Sequence, residues 1–149
     1  MQTTTSVEIA RPAFDVFDFV ADMSNNTRWQ KGMRTCSWTS GPPIAVGSIY
    51  EQTARFAGRD IVTTFEVTEF EPGAQIRIES IESTFPLDVV RRVISLETDR
   101  CRVVADVSGE PSGLMKLLTP LTKRMVSRSV IADYERLKTL LESSDRPTQ

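Results

Sequence analysis

The chain has 149 residues, of which 40% are hydrophobic and 26% are charged, and its formal net charge is −2 at pH 7. This composition is typical of a globular domain that buries a core without disulfides or metals. The near-neutral balance provides no electrostatic footprint for nucleic acid or for an anionic membrane. No apolar run approaches the roughly 20 residues that a membrane-spanning helix needs, and the N-terminus lacks a signal peptide pattern. We therefore expect one cytoplasmic domain over residues 1–149, with a polar tail at 143–149.

Cysteine and histidine usage restricts the possible chemistry. Cys36 and Cys101 are far apart in the sequence and have no metal-ligand spacing, so two reduced thiols are favoured over one disulfide. The chain contains no histidine, which removes the most common general base near neutral pH and the commonest metal ligand. No glycine-rich phosphate loop is present. We expect no metal, no cofactor and no Ser-His-Asp or Cys-His catalytic system.

The first secondary-structure elements are predicted from β-branched residues, which favour a strand, and from a proline that ends it. Residues 3–9 alternate and predict a strand. A proline and an aspartate suit the first turn of a short helix over Ala13–Ala21, whose wide apolar face predicts packing on a sheet. Residues 22–26 turn the chain or cap a second short helix that leads to Trp29.

The middle of the chain has the sequence pattern of a β-meander. Alternating segments are separated by turn signals roughly every ten residues, with no helical period between them. The predicted strands are 35–39, 49–56, 61–70, 75–81, 87–97 and 102–108. This pattern indicates about six antiparallel strands with one polar and one apolar face.

Residues 113–143 consist mostly of good helix formers and predict a long C-terminal helix. One apolar stripe, at spacings of three and four, comprises Val126, Val130, Tyr134, Leu137 and Leu141. A second stripe lies nearly opposite and comprises Leu114, Leu118, Leu121, Met125 and Ala132. Either Pro120 kinks the helix or its two halves bury different faces. A helix packed on the sheet is the favoured interpretation. In the alternative, residues 114–125 close a cavity that the second half supports.

The apolar face of the meander needs a cover, and the C-terminal helix is the only large apolar element left for it. The sequence therefore predicts an α+β helix-grip fold. A curved antiparallel sheet of about six to seven strands wraps around the long C-terminal helix, with two short helices after the first strand.

A family resemblance is carried by short motifs in a fixed order. They are Ile9-Ala-Arg-Pro12, Val16-Phe17, Val20-Ala-Asp22, Trp29, Val46-Gly47, Val67-Thr-Glu-Phe-Glu-Pro72 and Asp133-Tyr-Glu-Arg-Leu-Lys138. Over residues 3–142 the chain resembles the START-like helix-grip (SRPBCC) superfamily, in particular its polyketide cyclase/dehydrase-like proteins. One departure is the turn at 99–102, where many such chains carry a Gly-Thr-Arg type of sequence. The resemblance implies a cavity between sheet and helix for a small apolar molecule, but the fold hosts carriers, receptors, cyclases and hydrolases alike.

The candidate ligand-binding residues are mainly polar or aromatic side chains on the predicted inner face. They are Trp29, Tyr50, Gln52, Thr63, Phe65, Ile78, Ser80, Arg92, Met115 and Leu118. The resemblance places Trp29 near the mouth of the cavity. For the aromatic members, plain core packing is the alternative interpretation.

Arg92 is the most informative candidate because alternation groups it with apolar residues of the same predicted strand. A buried arginine needs a partner, which would be a ligand carboxylate or an acidic residue such as Glu69 or Asp106. A register slip of one residue would put Arg91 in its place.

Two main functions are consistent with these residues. The first is binding of a small hydrophobic molecule that is polyketide-, isoprenoid- or lipid-like. The alternative is an aromatase/cyclase- or dehydratase-like enzyme that holds a flexible polyketone, with Tyr50, Arg92 or a carboxylate moving protons. A third possibility is a protein contact through residues 114–125. We expect a monomer or homodimer that binds a small ligand and no nucleic acid.

Overall fold

A computed structural model of the protein describes residues 2–56, 58–83, 86–109 and 120–143, apart from the side chain of Thr122. Its strands are β1 (Gln2–Ile9), β2 (Met33–Trp38), β3 (Ile49–Phe56), β4 (Arg59–Glu71), β5 (Gln75–Glu82), β6 (Leu87–Glu97) and β7 (Arg100–Gly109). The helices are α1 (Ala13–Ala21), a 3-10 helix (Met23–Arg28) and α2 (Pro120–Ser143).

One antiparallel sheet contains all seven strands, in the order β1-β7-β6-β5-β4-β3-β2. Strands β2 to β7 form the predicted meander, and β1 adds to it by pairing with β7. The inner face of this curled sheet and helix α2 enclose the core, which confirms the helix-grip fold predicted from the sequence.

Helix α1 comes close to the turn between β4 and β5 through the ring of Phe14. Gly73 has φ +78°, a backbone conformation that L side chains rarely adopt, and a Cβ atom there would lie 2.9 Å from the Phe14 ring of α1. A glycine at this turn therefore permits both the tight strand connection and the close approach of α1.

Helix α2 is tied to the end of β1 by polar contacts. The Lys138 ammonium donates to the carbonyl oxygen of Glu8, and the Ala10 amide donates to Glu142 at 2.8 Å. The Lys138–Glu142 ion pair connects the two contacts at 2.8 Å. These bonds use backbone groups where β1 ends, so they set the direction from which α2 crosses the sheet.

One face of α2 packs on the sheet, and it carries the first of the two predicted stripes. Tyr134, Leu137 and Leu141 are buried, which confirms that prediction. In the second stripe, Leu121 and Met125 are 65% and 60% exposed, so the described part of the helix does not bury two opposite faces. Leu114 and Leu118 lie outside the described residues. None of the described helices combines the length and apolarity needed to cross a bilayer.

Strand β6 corrects one prediction about the inner face. Val89, Arg91 and Val93 point into the core, and Arg91 is only 3% exposed. The next residue of the alternate face, Ile94, is 45% exposed, so the prediction that puts Arg92 on the inner face is wrong by one residue. The register follows from β7, where Ala105 lies opposite Arg91 and is itself buried.

Both thiols are free and buried, which confirms the expectation of two reduced cysteines. Burial raises the pKa of Cys36 to about 12 and that of Cys101 to about 11. Since the thiolate is the nucleophilic form, neither residue has the environment of a reactive cysteine.

The packing of α2 gives a test of the fold. Leu137 is fully buried, so Leu137→Ala is expected to lower the free energy of unfolding by about 2–5 kcal/mol in urea titrations. Leu121→Ala on the exposed face of the same helix is the matched control, with an expected change within about 0.5 kcal/mol. Equal costs at both positions would contradict this packing of the helix.

Candidate functional site

A cavity of about 120 Å³ lies between the inner face of the sheet and helix α2. It is lined by Asn26, Gln30, Tyr50, Gln52, Phe65, Ile78, Leu87, Val89, Arg91, Val107, Val130, Asp133 and Tyr134. Alternate residues of a strand share one face, which is why several strands each contribute inward side chains. Helix α2 supplies the opposite wall.

Stacked aromatic rings form one wall of the cavity. Tyr50 lies opposite Phe65 in the ladder between β3 and β4, and their rings stack at 5.1 Å with an angle of 14°. Trp38 packs edge-on against Tyr50 at 5.2 Å. The Tyr50 hydroxyl is buried and finds no hydrogen-bond partner among the described residues. Burial holds the pKa of Tyr50 well above its usual range, so this phenol is neutral and is a proton donor rather than a base.

Among the described residues that line the cavity, Arg91 is the only cation, and it joins three helical segments to the sheet. Its Nε donates to the Tyr134 hydroxyl of α2 at 3.0 Å. Its Nη1 donates to the carbonyl oxygen of Val20 at 2.8 Å and to Oδ1 of Asn26 at 3.1 Å. The guanidinium carbon lies 5.0 Å from the centre of the Trp29 ring, within the range of a cation–π contact.

No carboxylate of the described residues forms an ion pair with this buried charge. None of the ion pairs formed by the described residues includes Arg91. Its acceptors are a phenol, a backbone carbonyl, a side-chain amide and the thioether of Met23, all of them neutral. Burying a cation without an opposite charge is costly, so Arg91 is a candidate for a functional role.

The remaining polar side chains of the lining differ in whether they already have hydrogen-bond or ion-pair partners. Asp133 accepts from the Lys31 amide at 3.2 Å and pairs with Arg136, so its charge is already held. Gln52 is buried beside the aromatic wall, and its side-chain amide has no hydrogen-bond partner in the part of the chain that the structure describes. The cavity therefore offers hydrogen-bond donors, and its carboxylate is already paired.

Of the residues predicted from the sequence, Tyr50, Gln52, Phe65 and Ile78 line the cavity. Trp29 does not line it. It is buried behind Arg91 and packs edge-on against Tyr134 at 4.8 Å, so the expectation of a position at the mouth is wrong.

Two polar residues predicted to bind the ligand do not line this cavity and instead form hydrogen bonds with other residues of the chain. Thr63 Oγ1 lies 2.9 Å from the hydroxyl of Ser83. Ser80 accepts from the amide of Leu87 at 2.8 Å and lines a separate pocket at the start of β6. The predicted residues Met115 and Leu118 lie outside the described residues.

Arg92 lies on the outer face of the sheet, so its predicted inward position is wrong. Its Nη1 donates to Asp106 at 2.8 Å and its Nε donates to Gln75 at 3.1 Å. Hydrogen bonds from Thr4 and then from Arg92 lower the pKa of Asp106. Pairing with Asp106 was one of the two alternatives for Arg92, and Arg91 takes the inward position.

Sequence reasoning missed several lining residues for different reasons. Tyr134 belongs to the predicted helical stripe, and its hydroxyl on an otherwise apolar face was the available signal. Asn26 and Gln30 lie in or just after the short 3-10 helix, where no periodicity indicates which side chains point inward. Among the described residues, no group of three carboxylate or thiol side chains is placed to hold a metal ion.

The two buried tyrosines give a matched test of this geometry. Tyr134→Phe removes the acceptor of Arg91 Nε and leaves a buried donor unpaired, so we expect a loss of about 1–3 kcal/mol in the free energy of unfolding. Tyr50→Phe removes a hydroxyl without a partner in the described structure and is expected to leave stability unchanged or raise it slightly. Urea denaturation measures both variants, and a larger loss for Tyr50→Phe would contradict the described contacts.

Solved structures with the same fold cover almost the whole chain. The protein TTHA0849 from Thermus thermophilus superposes with a TM-score of 0.82 at 15% identity, over 98% of this chain and 100% of its own. A START superfamily protein from Mycobacterium smegmatis superposes with a TM-score of 0.82 at 16% identity, over 95% of this chain and 97% of its own. The Zhui aromatase/cyclase from Streptomyces sp. R1128 superposes with a TM-score of 0.77 at 18% identity, over 98% of this chain and 96% of its own. Identities this low show the fold alone.

Among curated protein sequences, none matches this chain significantly. A family model does match it, and the match extends over residues 1–142, which include every strand and nearly all of helix α2. The chain therefore belongs to the family described as polyketide cyclase/dehydrase and lipid transport.

Proposed function

We propose that the protein binds a small, largely apolar molecule in the cavity between the sheet and helix α2. The observation that carries the proposal is the lining itself, in which aromatic and aliphatic side chains surround one buried arginine that no carboxylate of the described residues pairs with. Such a surface, mostly apolar with a few convergent polar groups, is the usual character of a small-molecule site. Family membership supports the same class of ligand, since the family includes cyclases and lipid-transport proteins.

The size of the cavity favours the shorter members of the polyketide-, isoprenoid- and lipid-like classes. Sites for drug-sized ligands usually measure roughly 300–1,000 Å³, and this cavity measures about 120 Å³. A ligand with one ring or a short branched chain fits such a volume better than a long acyl chain.

A cyclase- or dehydratase-like activity is the second candidate, and Arg91 is the observation in its favour. A guanidinium held in a cavity stabilises negative charge that develops on a ketone oxygen during an aldol step. The similar Zhui protein is an aromatase/cyclase by name. Against this candidate, the lining carboxylate Asp133 is already paired with Arg136, and Tyr50 is a neutral phenol, so neither is placed as a ready base.

The binding function is tested first by native mass spectrometry of the freshly purified protein, followed by organic extraction. We expect a bound molecule of at most a few hundred daltons, released together with unfolding. A clean apo mass, together with no chemical-shift change from the neutral probes p-cresol and 3-methyl-1-butanol, would count against the proposal.

Filling the cavity from helix α2 gives a sharper test. Val130 lines the cavity and its neighbour Ile131 is exposed on the same helix. Val130→Trp is expected to weaken probe binding at least about tenfold, because the indole occupies the ligand's volume. Ile131→Trp adds the same side chain outside the cavity and is expected to bind normally. Binding isotherms from NMR titration compare the two, and equal affinities would place the ligand elsewhere.

The enzyme candidate is tested with a linear poly-β-ketone thioester mimic, with cyclised product followed by absorbance and mass spectrometry. If the candidate holds, the wild-type protein accelerates one cyclisation, and Arg91→Met loses the acceleration while Arg92→Met keeps it. Product formation at the uncatalysed rate, from a mimic that binds, would leave a carrier as the function.

A further inference from the structure

Arg91 has hydrogen-bond donors that no described residue uses, and these indicate which chemical group the ligand carries at its polar end. Nε and Nη1 donate to neutral oxygens of Tyr134, Val20 and Asn26. For Nη2, with its two hydrogens, the described residues provide no acceptor. One nitrogen of a buried guanidinium in the cavity lining is therefore left to donate to something else.

The charge of the guanidinium decides which kind of acceptor fits best. Neutral acceptors satisfy hydrogen bonds but do not compensate a buried positive charge, whereas an anionic oxygen does both. Among the described residues that line the cavity, the only carboxylate is Asp133, which is bound to Arg136 and to the Lys31 amide. Tyr50 adds no competing negative charge, because its phenol is neutral.

The guanidinium is also held in place before any ligand arrives. Contacts from α1, the 3-10 helix and α2 fix its orientation, and the Trp29 ring covers one of its faces. A donor that is already positioned loses little conformational entropy when it binds an anion. Gln52, whose amide is also without a partner in the described structure, lines the same cavity and supplies a neutral donor for a second oxygen.

We infer that the ligand is an apolar carboxylic acid, bound as its carboxylate to Arg91 with its apolar body against the Tyr50–Phe65 wall. This inference rests on the proposed binding function and names the chemical class of its ligand. The pairing also explains why a largely apolar cavity keeps a buried arginine, since the ligand supplies the negative charge that the described lining does not offer to it.

Matched acid and amide probes test the inference in the full-length protein. Hexanoate and benzoate are compared with hexanamide and benzamide, which have nearly the same shape and no charge, by NMR titration at about pH 7.5. We expect each acid to bind at least about tenfold more tightly than its amide. In Arg91→Met the preference is expected to fall below about twofold, whereas Arg92→Met, which removes the adjacent outward arginine, keeps it.

The outcomes separate this inference from the function on which it rests. Equal affinities of acid and amide for the wild-type cavity overturn the carboxylate assignment and leave binding of apolar molecules standing. An acid preference that survives in folded Arg91→Met overturns the role of Arg91. If no probe binds, including the neutral p-cresol and 3-methyl-1-butanol, both the inference and the proposed function fail.

A variant of Arg91 that does not fold would not remove the test. The wild-type ratio of acid to amide affinity is measured without any substitution. Val130→Trp then tests whether the acid binds in the cavity. Acid binding at full strength in this variant would show that the site lies elsewhere. Arg91→Lys, which keeps a positive charge without the planar fork, is expected to retain a reduced preference.

Discussion

The hydrogen bonds of the buried Arg91 guanidinium are the interaction on which the arrangement of the helices on the sheet depends. It is held by the end of α1, by the 3-10 helix and by α2, while its backbone belongs to the middle of the sheet. Polar contacts at the end of β1 also orient α2, but among the described residues Arg91 is bonded to all three helical segments at once. Because hydrogen bonds are directional and apolar contacts are not, these bonds help to fix how the three segments sit on the curled sheet.

In the proposed function, the same residue connects the stability of the fold with ligand binding. A buried arginine without a carboxylate is costly, and a hydrophobic side chain of similar volume would often stabilise a core better. The cost is consistent with a group retained for a ligand, as is commonly found at functional sites. Next to it, the stacked pair of Tyr50 and Phe65 provides an apolar surface, so a cation and an apolar wall meet within one cavity. This juxtaposition suits an amphipathic small molecule better than a purely apolar one.

The fold and the family leave the activity open, because carriers and cyclases of this family share one architecture. What separates them lies in a few side chains of the lining. Here the lining carboxylate is held in an ion pair and the tyrosine of the aromatic wall is a neutral phenol. That chemistry favours holding a ligand over moving its protons.

The sequence by itself determined the strands of the meander, the two short helices and the buried stripe of α2, because alternation and helical spacing are local signals. It also identified Tyr50, Gln52, Phe65 and Ile78 as inward residues. It did not determine that β1 pairs with β7. It assigned the wrong register to β6, since Val89-Val-Arg-Arg-Val-Ile94 has the same pattern in both registers, with an arginine between apolar neighbours. Only the tertiary structure decided this, by pairing Arg91 with buried Ala105 and by placing Asp106 on the outside to receive Arg92. The choice depends on partners distant in sequence, and a period of two cannot supply it.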